Sequence, residues 1–282
     1  MTEEFPALYV VATPLGNLGD LTMRAAEVLR RVPWVAAEDT RHSAPLLRHL
    51  GSPARLLPAH EHNEEAAAQQ VIERLAAGDP VALISDAGTP AVSDPGARIV
   101  ARVREAGYRV VPLPGPCAAV AALSASGLGA PHWLFHGFLP VKSRQREETL
   151  RELAAHPCAL VFYEAPHRIL ETISALAETL GPARRVVIAR ELTKLFETIH
   201  VCPLGDALAW LESDANRQRG EFVLIVDAPE AEDGDDVEAG RVLQLLLDDG
   251  LPVKQAAKLA HAITGAPKNA LYERALALRG DK

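Results

Sequence analysis

Cysteine is scarce in this chain: Cys117, Cys158 and Cys202 are the only three in 282 residues. None belongs to a Cys-x-x-Cys pair, which excludes a disulfide framework and a cysteine-based zinc site. Aromatic residues make up only 5%, too few for base stacking on an aromatic platform to dominate any affinity for nucleic acid. An excess of basic residues is missing as well. With 29 Lys and Arg against 37 Asp and Glu, the net charge of −8 rules out a polycation that coats nucleic acid. The opening MTEEFPALYV carries acids and no basic stretch, so no signal peptide is expected. Residues 110–141 contain no Asp, Glu, Lys or Arg, but Pro112, Pro114, Pro116 and Pro131 interrupt them. The clean piece, Cys117 to Gly129, is too short to span a bilayer. The expectation is a soluble, cytoplasmic protein with no membrane segment.

Nucleotide signatures are absent too. TPLGNLGDLT lacks the Gly-Lys-Ser/Thr end of a P-loop, and no G-x-G-x-x-G occurs. ATP, NAD and the usual Rossmann mode of binding S-adenosylmethionine are therefore disfavoured.

What is present is 48% apolar residues, enough for a large core. Apolar, β-branched runs at 7–13, 33–38, 55–59, 81–86 and 109–114 alternate with helix-period segments such as MRAAEVLRR and EEAAAQQVIERLAAG. Strands apolar throughout, alternating with helices, predict a parallel sheet covered on both faces. A second set of strands is expected at 133–138, 158–163, 185–190, 196–201 and 221–227, with helices at 144–155, 167–180 and 204–213. RVVIAR, a loop and FETIHV read as an antiparallel insertion, so the second sheet should be mixed. The fold class is thus α/β: an N-terminal domain over 1–130 and a second α/β domain over 131–228. The acidic segment 229–240 holds six acids and no base, and reads as a solvated linker. Residues 241–282 carry seven Lys and Arg against four acids, and should form a small basic helical tail with helix-turn-helix spacing.

Ligands bind off the carboxyl ends of strands in an open parallel sheet. Those ends run into TPLGNLGDLT, Glu38-Asp39-Thr40-Arg41, SDAGTPAVSDPG and PGPCAA, turn chemistry that lets backbone approach a ligand closely. Any one of them could be a plain tight turn; three Gly/Pro-rich loops of this kind point to a site.

With LYVVATPLGNLGDLTMRA, AEDTRHSAPLL, PLPGPCAAVAALSASGL, VFYEAPHRI, RELTKLFE and GEFVLIV, these stretches resemble the tetrapyrrole methylase superfamily. They are more similar still to its rRNA 2′-O-methyltransferase branch. The resemblance covers about residues 7–227 and reaches the tail in KNALYE. It implies two α/β domains with S-adenosylmethionine in the cleft between them, and a homodimer. It also implies 2′-O-methylation of a decoding-centre cytidine, cytidine 1402, in the 16S rRNA of the 30S subunit. Carried over, Pro14 and Leu15 match the first cofactor turn. Asp86, Gly88, Thr89, Pro90 and Ala91 match the second, with Ser93, Cys117 and Ala118 close by. Tyr163 and Glu164 match a strand end that covers the adenosine. Thr89 stands where tetrapyrrole enzymes carry Asp, which argues against a tetrapyrrole substrate.

Methyl transfer to a ribose hydroxyl needs collinear reacting atoms and either a base or a cation for the developing oxygen charge. Lys194 is the candidate for assisting the hydroxyl, with Asp39 and Arg41 orienting RNA; an Asp39–Arg41 pair capping a helix is the equal alternative. Phosphate contacts are expected from Lys142, Arg144, Arg146 and Arg151, and in the tail from Lys254, Lys258, Lys268, Arg274 and Arg279. His60 and His62 are too poorly supported for zinc, so no metal is expected. Two other classes stay open: a small-molecule methyltransferase on the same fold, and a non-catalytic RNA-binding protein.

Overall fold

In the computed structural model, described over residues 6–229 and 234–280, the first five apolar runs become β1 (Ala7–Val11), β2 (Trp34–Ala37), β3 (Arg55–Pro58), β4 (Val81–Ile84) and β5 (Arg109–Leu113). They form one parallel sheet in the order β3-β2-β4-β1-β5. Side chains alternate between its faces, as the two-residue period requires. Leu8, Ala36, Val81 and Leu83 pack against the helices α3 and α4; Val11, Val35, Ala82 and Ile84 pack against α1 and α2. These helices are α1 (Met23–Arg31), α2 (Thr40–Leu50), α3 (Glu64–Ala76) and α4 (Ala97–Glu105), with α5 (Ala118–Ala125) following β5. Burial on both faces explains why β4, VALI, has no polar position.

Capping sets where helices begin. Thr22 accepts from Ala25 N at 3.2 Å to start α1. Asp39, rather than Thr40, is the N-cap of α2. That helix also holds Pro45 inside it and ends on Gly51 in the left-handed conformation.

The second sheet is built from β6 (Trp133–Phe138), β7 (Ala159–Glu164), β8 (Arg185–Arg190), β9 (Thr198–Pro203) and β10 (Phe222–Val226), in the order β6-β7-β10-β8-β9. Only β6 and β7 run parallel; the other pairs are antiparallel, so the sheet is mixed as expected. One face carries α6 (Ser143–Ala154), α7 (Ile169–Leu180) and α8 (Leu204–Glu212) over Leu160, Phe162, Ile188 and Leu224. The opposite face packs Val161, Val187, Val223 and Ile225 against Ala119 and Ala122 of α5. A helix that follows the first sheet is thus buried on the second, and the described residues up to 227 form one compact unit.

The other unit, from 228 on, holds α9 (Gly234–Asp248), α10 (Val253–Thr264) and α11 (Lys268–Gly280) around Leu243, Ala256, Ala257, Ala260 and Leu271. Small alanines let the helices approach closely, and Gly265 in the left-handed region turns α10 into α11. The acidic segment expected to be a linker is helical from Gly234 on; its residues 230–233 lie outside the described residues. No described helix is long and apolar enough to cross a membrane.

Candidate active site

Parallel strands place the carboxyl ends of β1, β4 and β5 at one edge of the first sheet, with β4 and β1 adjacent. The three loops that follow are tied to one another. Thr13 N donates to Gly88 O at 2.8 Å, and Gly88 N returns a bond to Thr13 O at 3.0 Å. Thr89 Oγ1 donates to Pro116 O at 2.8 Å, and Thr13 Oγ1 to Ser85 O at 3.1 Å. Gly88 has φ +81°, and a Cβ there would sit 3.2 Å from Leu15 Cδ2. The cradle needs glycine for conformation and for space.

These loops form one wall of a cavity of about 360 Å³; the ends of β6 and β7, the loop after β8 and the start of β10 form the other. Leu15, Asp86, Gly88, Thr89, Cys117, Ala118, Tyr163, Glu164 and Lys194 all line it. Pro14 and Arg41 line a neighbouring recess instead. Pro90 is buried behind the turn, while Ala91 and Ser93 are exposed on it. Ser93 reaches the second sheet at Gly137, where a Cβ would lie 2.6 Å from its hydroxyl.

Strain is concentrated here. Among the described residues, positive φ outside glycine occurs only at Ala91, Ser93, Glu191 and Thr193, two residues in each of the loops that flank the cavity. Such residues cost about 1–3 kcal/mol each and persist where surroundings over-determine them. The turn 89–96 is clamped by Ala91 N to Pro95 O and by Gly96 N to Glu64 Oε1 at 2.7 Å.

The cavity is anionic. Glu38, Asp86, Asp94, Glu164 and Glu221 line it, and Lys194 is the one Lys or Arg among its lining residues. Lys194 Nζ donates to Glu191 Oε1 at 2.8 Å and Glu221 Oε2 at 2.7 Å. Burial acts to lower its pKa, but those hydrogen bonds and charges outweigh burial and raise it. It stays an ammonium at neutral pH and is no base. Its stem lies against Gly16, where a Cβ would run into Lys194 Cγ. Tyr163 accepts from Ala119 N at 3.1 Å, and burial, then the nearby Cys117, raises its pKa. Its ring meets Phe135 and the half-exposed Phe138 edge-on at 4.9 and 5.8 Å.

Three of the expected site residues are held by protein partners, and the expectation for Arg146 is corrected. Asp39 caps α2 through Arg41 N at 2.8 Å and pairs with the Arg41 guanidinium at 3.1 Å. Hydrogen bonding to Arg41 holds its carboxyl at about 2, in the helix-capping pair that stands as the equal alternative to an RNA-orienting role, and Arg41 lies outside the main cavity. Glu164 reaches the cavity, yet its oxygens are occupied inside: Thr172 Oγ1 donates at 2.6 Å, Ala165 N at 2.8 Å, and Arg168 lies at 3.4 Å. Arg146 is buried beside Glu171 and is not a surface cation, because it shares the inner face of α6 with Leu150 and Leu153. Its neighbours Arg144 and Arg151 pair with Glu148 and Glu147, which leaves the exposed Lys142 as the cation of that cluster without an ion pair among the described residues. Lys254, Lys258 and Lys268 are exposed on the tail helices.

Sequence reasoning passed over Glu38, Asp94, Phe138, Leu192 and Glu221. Asp94 and Glu38 lay inside the strand-end motifs, where an acid beside glycines was the available signal. Among the described residues no group of three His, Cys, Asp or Glu could hold a metal ion.

Two α/β lobes, with the strand-end loops of one facing those of the other across an anionic cleft, define a methylase of the tetrapyrrole type. The family profile of Tetrapyrrole (Corrin/Porphyrin) Methylases matches residues 7–208, and that of the RsmI C-terminal HTH domain matches 233–279. Among solved structures, the methyltransferase CobJ aligns with a TM-score of 0.60 at 21% identity, covering 79% of this chain and 94% of that one. A uroporphyrin-III C-methyl transferase from Thermus thermophilus, complexed with S-adenyl homocysteine, aligns at 0.56 and 20%, covering 78% and 97%. Ribosomal RNA small subunit methyltransferase I of Escherichia coli O157:H7 is 51% identical over 97% of this chain and 96% of its own length. Its namesake in Haemophilus influenzae is 46% identical over 98% and 99%. The chain belongs to the ribosomal RNA small subunit methyltransferase I family.

Proposed function

We propose that this chain transfers a methyl group from S-adenosylmethionine to the ribose 2′-hydroxyl of a decoding-centre cytidine in small-subunit rRNA. The observation that carries the reading is the tied cradle of Thr13, Gly88 and Thr89 beneath an anionic cavity, with Lys194 brought in from the opposite lobe. A sulfonium donor with its amino group and carboxylate is a net cation, and Glu38, Asp86, Asp94 and Glu221 around one ammonium favour a ligand of that charge, Glu164 being turned inward to Arg168. The volume suits a cofactor-sized molecule. Leu15, Val92, Cys117, Leu192 and Val223 supply an apolar lining for its uncharged parts. When bound, the donor supplies a methyl carbon activated by positively charged sulfur.

The chain's own residues then have separable tasks. The clamped 89–96 turn holds backbone in place before any ligand arrives, so little ordering remains to be done in the reaction. Leu192, Phe138 and Val223 present apolar surface to the cavity. Lys194 holds a permanent positive charge where the ribose oxygen becomes negative. Lys142, Arg144 and the tail's Lys254, Lys258 and Lys268 contact rRNA phosphates. The active form is a homodimer working in the cytoplasm on the 30S particle. A tetrapyrrole substrate is disfavoured by Thr89, whose hydroxyl is engaged with Pro116 O.

Ribose methylation blocks alkaline cleavage of the adjoining phosphodiester, which gives a direct test. Purified chain, labelled donor and 30S subunits lacking the modification should yield one alkali-stable labelled dinucleotide beginning with cytidine. Label on a base, or on uroporphyrinogen but not on 30S rRNA, refutes the reading. Gly88→Ala is expected to weaken donor binding about tenfold and to destabilise the fold by about 1–2 kcal/mol, the cost of a Cβ in the left-handed region. Calorimetric titration and urea unfolding measure the two effects.

A further inference from the structure

We propose that Asp94 is the proton acceptor for the ribose hydroxyl, a catalytic residue separate from Lys194; the assignment rests on the ribose-methylation reading above. The carboxylates of the cleft are not equivalent. Glu164 is engaged by Thr172, Ala165 N and Arg168. Glu191 and Glu221 hold Lys194. Asp86 accepts from Asp39 N at 3.1 Å, and Glu38 accepts from Asp86 N at 3.5 Å. Asp94 lines the cavity near the Ser85 hydroxyl, which itself donates to Gly88 O at 3.3 Å, and forms no ion pair among the described residues. Glu38 and Asp86 form no ion pair among the described residues either, but each accepts a backbone N–H that Asp94 lacks, so Asp94 is the carboxylate best able to take up a proton.

Its position is fixed. Asp94 follows Ser93 and precedes Pro95 in the strained turn, whose Ala91 and Ser93 are held at φ +65° and +66°. Ser93 abuts Gly137 on the other lobe, so the turn is buttressed from both sides. The groups that face Asp94 are Glu38 at the end of β2, Ser85 and Asp86 after β4, Tyr163 on β7 and Glu221 before β10. Burial, then the negative charge of Glu38, with smaller contributions from Asp86 and Glu221, raises its pKa to about 6. Lys194 lines the same cavity, committed to Glu191 and Glu221. A base poised near the working pH matches proton affinity to the ionised fraction.

In the step assigned to it, an Asp94 carboxylate oxygen takes the hydroxyl proton while the ribose oxygen forms its bond to the methyl carbon. The carbon–sulfur bond breaks with its electron pair passing to sulfur. One positive charge disappears at sulfur and one negative charge at Asp94, so the cavity's net charge is unchanged.

Asp94→Asn keeps size and polarity and removes the base. With 30S subunits, its single-turnover rate should fall about 10²–10⁴-fold. The wild-type rate should rise with pH through an apparent pKa of about 6 and level off above it; Asp94→Asn should lose that limb, and Asp94→Glu should retain it at a reduced rate. Without turnover, carbon-13 NMR of labelled aspartates should show one carboxyl titrating near 6 that is missing from Asp94→Asn. Donor affinity by calorimetry should stay within about tenfold, and the melting temperature should not fall. A rate for Asp94→Asn close to wild type, a pH limb that survives the substitution, or no such carboxyl overturns the assignment. If wild type itself makes no alkali-stable product, the ribose reading has failed; if it does and Asp94→Asn is unchanged, only this assignment has.

Discussion

Lys194→Met is expected to lower single-turnover methylation of 30S particles about 10²–10³-fold, the usual loss when a preorganised group opposite a developing charge is removed. Methionine retains the stem that lies against Gly16 and loses the ammonium that Glu191 and Glu221 hold in place. Donor affinity should change by less than about tenfold, because the loops proposed to cradle the donor are untouched. The pH dependence should be retained, since Lys194 remains charged across the range in which Asp94 titrates. Folding should change little: Glu221 is largely exposed, and water can take over from the lost ammonium. Rapid-quench kinetics with saturating donor measure the effect. A rate unchanged from wild type would mean that the ammonium only fastens the 191–194 loop to Glu221.

Glu164→Ala should destabilise the protein by about 3–5 kcal/mol, the cost of removing one partner from a buried ion pair. Its side chain is wholly inaccessible and that of Arg168 nearly so. Truncation strands the Arg168 guanidinium and removes the acceptor for Thr172 Oγ1 and Ala165 N. Arg168 also donates to Leu139 O at 2.6 Å, so the loss reaches the connection after β6. Thr172→Val removes one hydrogen bond and should cost only about 1–3 kcal/mol. Urea unfolding with a common slope separates the two. If Glu164→Ala proves nearly neutral in stability and weakens donor binding instead, the carboxylate faces the cleft in solution and the inward assignment is wrong.

The placement of Arg146 and Glu164 was legible in the pattern itself. Positions 146, 150 and 153 share one helical face, so Arg146 accompanies Leu150 and Leu153 inward. Positions 160, 162 and 164 share one face of β7, so Glu164 follows Leu160 and Phe162 into the core while Tyr163 turns to α5. A basic cluster read as a list of charges hides this, because a list has no direction. Helix α2 is harder to read, since Thr40-Arg41-His42-Ser43 is polar and Pro45 sits in its second turn. Its start rests on the Asp39 cap, and its inner face on Leu47 and Leu50.

What the amino-acid order determined by itself is everything that depends on neighbours in the chain. The apolar runs specify ten strands near their observed places, and glycine at 88 specifies a turn that other residues resist. The tertiary structure alone decided which charges meet. Glu38, Asp94 and Glu221 come from three distant strand ends, and Lys194 meets Gly16 only because α5 of the first half is buried on the second sheet. Electrostatic energy depends on separation in space and on exclusion of water, neither of which sequence distance encodes. For that reason the cradle could be read from the motif, whereas the state of each carboxylate around it could not.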